Sequence, residues 1–244
     1  AAPLGKNGGQ ANPPLHHETN GPRSVCRTPL QQDVSAGAVG SFVVTIRDVT
    51  ARKLDELQAT REARTDALTG LPNRRAFLDV LEDQLAHAHE ASFALALIDL
   101  DHFKRVNDTY GHDTGDMVLK RIAGLMREHT TRKCIFARLG GEEFGMIVTR
   151  DAVDDALAIC EHLREAIAGK RMADQDGRTF NITASIGIAR IVETCSASVA
   201  MNCADAPLYA AKAAGRNAIR VAQCEGSWGS PMRVVPRHVM GDAG

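Results

Sequence analysis

The stretch SFALALIDLD, residues 92–101, constrains this chain more than any other. From Phe93 to Leu100 every residue but Asp99 is apolar. The run falls far short of the ~18 residues of a membrane span, and its length suits a strand covered on both faces. It runs directly into carboxylates, Asp99 and then Asp101. An uncompensated carboxylate at the end of such a strand is costly to bury. If the strand persists, residues two apart point to the same side. A fold containing this strand therefore needs helices on both faces of a sheet and a polar end where acids collect.

The flanking segments supply those helices. NRRAFLDVLEDQLAHAHE places Phe77, Leu81 and Leu85 on one helical stripe, and TGDMVLKRIAGLMREH does the same with Val118, Ile122, Leu125 and Met126. CIFARLGGEEFGMIV is two short apolar runs joined by Gly-Gly, a hairpin signature. DAVDDALAICEHLREAIAG predicts a helix capped by Asp151. FNITASIGIARI predicts a strand, ADAPLYAAKAAG a helix and NAIRV a last strand. This order implies an α+β sandwich of ferredoxin-like type, an antiparallel sheet with helices on its faces.

The rest of the chain has a different character. Seven of the nine prolines lie outside residues 66–217, while eight of the ten aromatics lie inside. One domain over 66–222 is expected. Residues 1–34 read as loop or disorder, 35–50 as a strand-bearing remnant, 51–65 as a connector helix with Leu54 and Leu57 on one side, and 223–244 as a flexible tail. The start, AAPLGKNGG, resembles neither a signal peptide nor a natural start and reads as a fragment. Twenty-nine basic against 30 acidic residues give a net charge of -1, which argues against wrapping nucleic acid electrostatically. The six cysteines form no C-x-x-C pair, so neither a zinc site nor a disulfide framework is expected; reduced, mostly buried thiols of a cytosolic protein are.

The chemistry starts with the acids. Glu142 and Glu143 follow the Gly140-Gly141 turn. If that hairpin pairs beside the Asp99 strand, three or four carboxylates converge at one end of the sheet. Like charges so close do not all stay ionised without a cation, and oxygen-only ligands favour Mg²⁺ or Mn²⁺. Taken singly, each acid has an ordinary reading: Asp101 as the cap of the short helix after it, the glutamates as solvated hairpin residues.

Together these residues resemble the GGDEF diguanylate cyclases. The resemblance rests on DALTGLPNRRAF at 66–77, DLDHFKRVNDTYGHDTGD at 99–116, RLGGEEF at 138–144 and LYAAKAAGRN at 208–217, with TASIGIA at 183–189 between the last two. It covers about residues 64–222. It implies a fold similar to the palm of nucleotide polymerases and the condensation of two GTP into cyclic di-GMP and two pyrophosphates. By the same resemblance, Asp99 and Glu143 hold two Mg²⁺ or Mn²⁺ ions per site, with Glu142 and the Leu100 carbonyl as further ligands. Glu142 is also a candidate for assisting deprotonation. Backbone N–H groups near Phe103 and Lys104 cradle phosphates, and Lys212 and Arg216, i and i+4 on the last helix, meet the β- and γ-phosphates. Asn107 and Asp116 read guanine, whose N1–H and N2–H₂ donors suit a carboxylate. Leu71 and Leu119 are candidate walls for the base, or ordinary core.

Three features depart from the family or extend it. The inhibitory Arg-x-x-Asp product site is replaced by Thr131-Arg132-Lys133-Cys134, so feedback through it is expected to be absent or altered. Pro207 falls where the family has a helix-compatible residue; it costs ~3 kcal/mol in a helix interior and little in a first turn. GSFVVTIRDVTARK at 40–53 resembles the exit of a PAS sensor domain, here truncated. One GTP per site and a product built from two implies a homodimer, with no nucleic-acid partner and no membrane segment in the chain. The competing expectation is a catalytically silent domain binding GTP or cyclic di-GMP; the complete acid set weighs against it.

Overall fold

The computed structural model describes residues 49–88, 92–130, 133–224 and 233–234. Residues 1–34, the PAS-like segment up to residue 48, Thr131, Arg132 and most of the tail lie outside the described residues. Contacts divide the chain into two units, 1–59 and 60–244. Of the first, the described part is the start of helix α1 (Thr50–Arg64), which covers most of the 51–65 segment.

In the second unit the apolar octet forms β1 (Phe93–Leu100), buried at every position because it lies inside the sheet. β2 (Cys134–Gly140) and β3 (Glu143–Val148) form the hairpin, and β3 pairs antiparallel with β1. On the other side β1 pairs antiparallel with β6 (Ala184–Ile191), which pairs with β7 (Ile219–Cys224). The order is β2-β3-β1-β6-β7, with the two-residue β8 (Arg233–Val234) at the edge. Met172–Ala173 (β4) and Thr179–Phe180 (β5) form a separate small hairpin that periodicity did not foresee.

The sheet is antiparallel with one correction: β6 and β7 run parallel. Between them lies α6 (Ala197–Ala213), and a helical crossover is what returns a chain to a parallel neighbour. Alternation along β1 divides the core. Ala94, Ala96, Ile98 and Leu100 pack with α3 (Phe103–Tyr110), α4 (His112–His129) and α5 (Ala156–Gly169). Phe93, Leu95 and Leu97 pack with α2 (Arg74–Ala86) and α6. Asn73 caps α2 by accepting the Ala76 N–H at 3.0 Å.

Two local expectations change, and Pro207, open between a helix interior and a first turn, is placed. Asp151 lies within a 3₁₀ turn, Arg150–Asp155, and Asp155 takes the cap position of α5. Pro207 sits in the interior of α6, buried, well beyond the first turn. Cys203 on α6 and Cys224 on β7 are disulfide-bonded, Cα atoms 5.9 Å apart, so the thiols are not all reduced as expected. A separation of 21 residues carries no local signal; the return of β7 beside α6 brings the pair together. Cys134 and Cys160 are buried thiols, pushed by desolvation up to about 12 in the case of Cys134.

Candidate active site

The polar end of the sheet is assembled by register. Asp99, next to last in β1, lies directly opposite Glu143, the first residue of β3, and opposite Ser185 in β6. The turn between β2 and β3 needs Gly140 and Gly141, with φ of 149° and 52°. Arg138 braces it, donating to the Gly141 carbonyl at 2.8 and 3.0 Å while its other nitrogen meets Asp66 at 3.1 Å. Burial alone raises the Asp66 carboxyl, but hydrogen bonds from Thr69 and the Arg138 guanidinium hold it below its ordinary value. Asp66 and Arg138 belong to recognised motifs, yet their pairing is visible only in three dimensions.

Asp99 is 9% exposed, and its Oδ2 lies 2.8 Å from the Lys212 ammonium. Burial raises its carboxyl above the ordinary range; Lys212 opposes this, and the charges of Glu142 and Asp101 add to it. The Leu100 N–H donates to the Glu142 carbonyl at 3.3 Å, which holds the first glutamate's backbone against the end of β1. The structure thus brings together Asp99, Leu100, Glu142, Glu143 and Lys212.

Asp101 is not the helix cap its position implied. His102 occupies the cap of α3, with φ 59° and no side-chain hydrogen bond. The Asp101 carboxylate accepts from Thr183 and Ser185 hydroxyls, both at 2.7 Å, and from the Asn217 N–H at 3.0 Å. It ties β1 to β6 and to the turn after α6. Consequently Asp101 is withdrawn from the acids at this end, leaving Asp99, Glu142 and Glu143; among the described residues no three acidic, histidine or cysteine side chains already stand at metal-ligand spacing.

The remaining candidates are distributed as follows. Phe103, buried, and Lys104, exposed, open α3, where N–H groups precede the first helical bond. Lys212 and Arg216 do not share a helix, because α6 ends at Ala213; Arg216 lies in the following turn at φ 65° beside Gly215 at 104°. Asn107 on α3 packs against Gly115 on α4, one residue before the exposed Asp116. Leu71 and Leu119 are 2% and 3% exposed within the core cluster, so they present almost no surface.

A family model described as "Diguanylate cyclase, GGDEF domain" matches residues 63–218. The chain belongs to the GGDEF family. Among curated relatives, this GGDEF chain is 40% identical to diguanylate cyclase DgcP of Pseudomonas aeruginosa, over 66% of the chain and 24% of the relative. It is 38% identical to the response regulator PleD of Caulobacter vibrioides, over 64% of the chain and 35% of the relative. The match therefore spans a quarter to a third of those two relatives. Among solved structures, the coiled coil and GGDEF domain of DgcB from Caulobacter crescentus, in complex with c-di-GMP, has a TM-score of 0.68 and 36% identity, covering 71% of this chain and 93% of that one. The α+β sheet flanked by helices is thus the GGDEF fold. Among the described residues no helix is long and apolar enough to cross a membrane.

Proposed function

We propose that this chain is a diguanylate cyclase, joining two GTP into cyclic di-GMP with release of two pyrophosphates. The observation that carries the reading is Asp99 facing Glu143 across β1 and β3, with Lys212 as the charge partner of Asp99.

The residues suit divalent cations. Asp99 is desolvated, its neighbours are oxygen donors, and a single ammonium meets its charge. Asp99, Glu143, Glu142 and the Leu100 carbonyl would hold two Mg²⁺ or Mn²⁺ ions. Bound there, the cations supply acidity to a 3′-hydroxyl and charge to an α-phosphate.

This chain's residues do the rest. Lys212, 33% exposed, swings from Asp99 toward the β- and γ-phosphates, joined by Arg216 from the turn. N–H groups at Phe103 and Lys104 hold phosphate oxygens at the α3 start. Asn107 and Asp116 accept and donate along the guanine edge, which selects GTP over ATP. Glu142 assists by accepting a proton from the attacking hydroxyl. Each site holds one nucleotide, so two copies face each other and the reaction is one of proximity across a homodimer.

Purified protein incubated with GTP and Mg²⁺, with nucleotides separated by chromatography, tests this. One cyclic di-GMP per two pyrophosphates is expected, and Glu143→Ala loses the activity with its fold retained. A dimeric preparation that binds GTP and forms no cyclic di-GMP overturns the proposal in favour of a silent binding domain.

A further inference from the structure

The small hairpin of β4 and β5 lies far along the chain from the base readers, yet it touches the end of α3, the helix that carries Asn107. Tyr110, the last residue of α3, stacks on Phe180 of β5, ring centroids 4.4 Å apart and planes at 15°. The Arg178 guanidinium lies 5.5 Å from the Tyr110 ring centre. Arg178 is itself held: Asp174 accepts its Nε at 2.6 Å and its backbone N–H at 2.8 Å, and also takes the Asp176 N–H at 3.0 Å. Met172, paired with Phe180, is 1% exposed and anchors the hairpin in the core. A cavity of ≈ 280 Å³ otherwise lies between hairpin and helix turn, lined by Tyr110, His112, Asp113, Asp174 and Arg178 among others. The contact is thus concentrated in the stacked rings and the cation over them.

From Tyr110 the contacts lead to the base readers. Its carbonyl accepts the Thr114 hydroxyl at 2.8 Å, the Gly111 N–H donates to the Asn107 carbonyl at 2.9 Å, and the Gly115 N–H donates to the Gly111 carbonyl at 3.2 Å. A Cβ on Gly115 would lie 1.9 Å from Asn107 Oδ1, so the carboxamide rests against the backbone just before Asp116. The angle between α3 and α4 decides whether Asn107 and Asp116 reach one base edge together.

We infer that Tyr110, Phe180 and Arg178 are positioning residues for base selection: the hairpin braces the α3–α4 turn and holds Asn107 and Asp116 in one recognition plane. This rests on the reading of Asn107 and Asp116 as guanine readers, and the experiment separates the two. Calorimetry with the α,β-methylene analogues of GTP and ITP needs no turnover; ITP lacks only the N2 amino group. Phe180→Leu, which keeps an apolar residue but removes the stack, lowers the GTP-over-ITP preference about tenfold, the loss of roughly one good hydrogen bond. Arg178→Ala, a change at a side chain 58% exposed, lowers it in the same direction by less. Phe180→Tyr restores it. ITP, which keeps N1–H, O6 and N7, loses clearly less affinity than GTP, whereas a general loss of structure would weaken both alike. Equal loss for both analogues, or an unchanged preference in Phe180→Leu, overturns the inference. If Asp116→Ala leaves the preference unchanged, the guanine reading itself fails, and the brace with it.

Discussion

Helix α6 rides on the sheet at Gly187. A Cβ there would lie 2.2 Å from the Leu208 nitrogen, 2.3 Å from the Ala204 carbonyl oxygen and 2.7 Å from the Leu208 Cα. These are backbone atoms, the nitrogen and oxygen that an α-helix joins at i and i−4. They have no rotamer to change. Pro207, one residue earlier, has no N–H to give the Cys203 carbonyl, so this turn already lacks one bond. Gly187→Ala must therefore push α6 outward by about 1.5 Å to reach ordinary contact distance. Overpacking of this kind costs about 3 kcal/mol. For a domain of this size that lowers the Tm by about 10 °C. The same displacement carries Lys212, four residues beyond Leu208, away from Asp99, now 2.8 Å distant. Thermal melts followed by circular dichroism, with and without a second change Leu208→Ala, test this. The side-chain truncation should not rescue the loss, because the obstruction is backbone. A Tm within about 2 °C of the parent, or full rescue by Leu208→Ala, refutes the reasoning.

Other outcomes follow from the same geometry. Asp99 has its carboxyl raised, chiefly by burial, so the fold favours its protonated form; the stability it contributes is present below 3.8 and lost as pH rises through the folded value. Asp99→Asn should therefore raise the Tm at pH 7 without divalent cations, a gain that shrinks toward pH 3.8, while abolishing activity; a lower Tm at pH 7 would contradict this. Gly115→Ala should displace the Asn107 carboxamide, raising KM for GTP about tenfold with kcat largely kept. Its Tm should change little, the up to ~1 kcal/mol by which alanine favours a helix interior being offset by a Cβ 3.2 Å from the buried Phe103 ring; steady-state kinetics beside a melt shows the split. Reducing the Cys203–Cys224 bond, which closes a separation of 21 residues, should cost about 3 kcal/mol, and Cys203→Ser should melt identically with and without dithiothreitol.

What could be read in advance was whatever repeats locally. β1 announced itself by apolar content, α2 and α4 by their stripes, and the β2–β3 turn by two glycines whose φ values do require glycine. The parallel pairing of β6 and β7 was hidden because alternation looks the same in either direction and only the intervening helix permits it. β4 and β5, two residues each, are too short to show any period. Lys212 and Arg216 have helical spacing, but Gly215 and Arg216 take positive φ and the helix has already ended. The partners of Asp101 lie 82, 84 and 116 residues away, beyond any local pattern.

The two aspartates of Asp99-Leu100-Asp101 show how a fully bonded acid differs from one left with a movable partner. Like charges placed directly opposite on neighbouring strands destabilise a sheet, and Asp99 with Glu143 is such a pair. Asp101 is as buried as Asp99, yet fixed neutral donors satisfy it: two hydroxyls and a backbone N–H, none of which any ligand displaces cheaply. Asp99 has among the described residues one partner, an ammonium on a flexible stem that is itself one-third exposed. A carboxylate held by three rigid donors has little capacity left for a cation, whereas one held by a movable charge gives up its partner at the cost of a solvated lysine. The difference in donors, more than the spacing of the acids, sets Asp101 apart as scaffold and, under the proposed reading, leaves Asp99 and Glu143 for the cations.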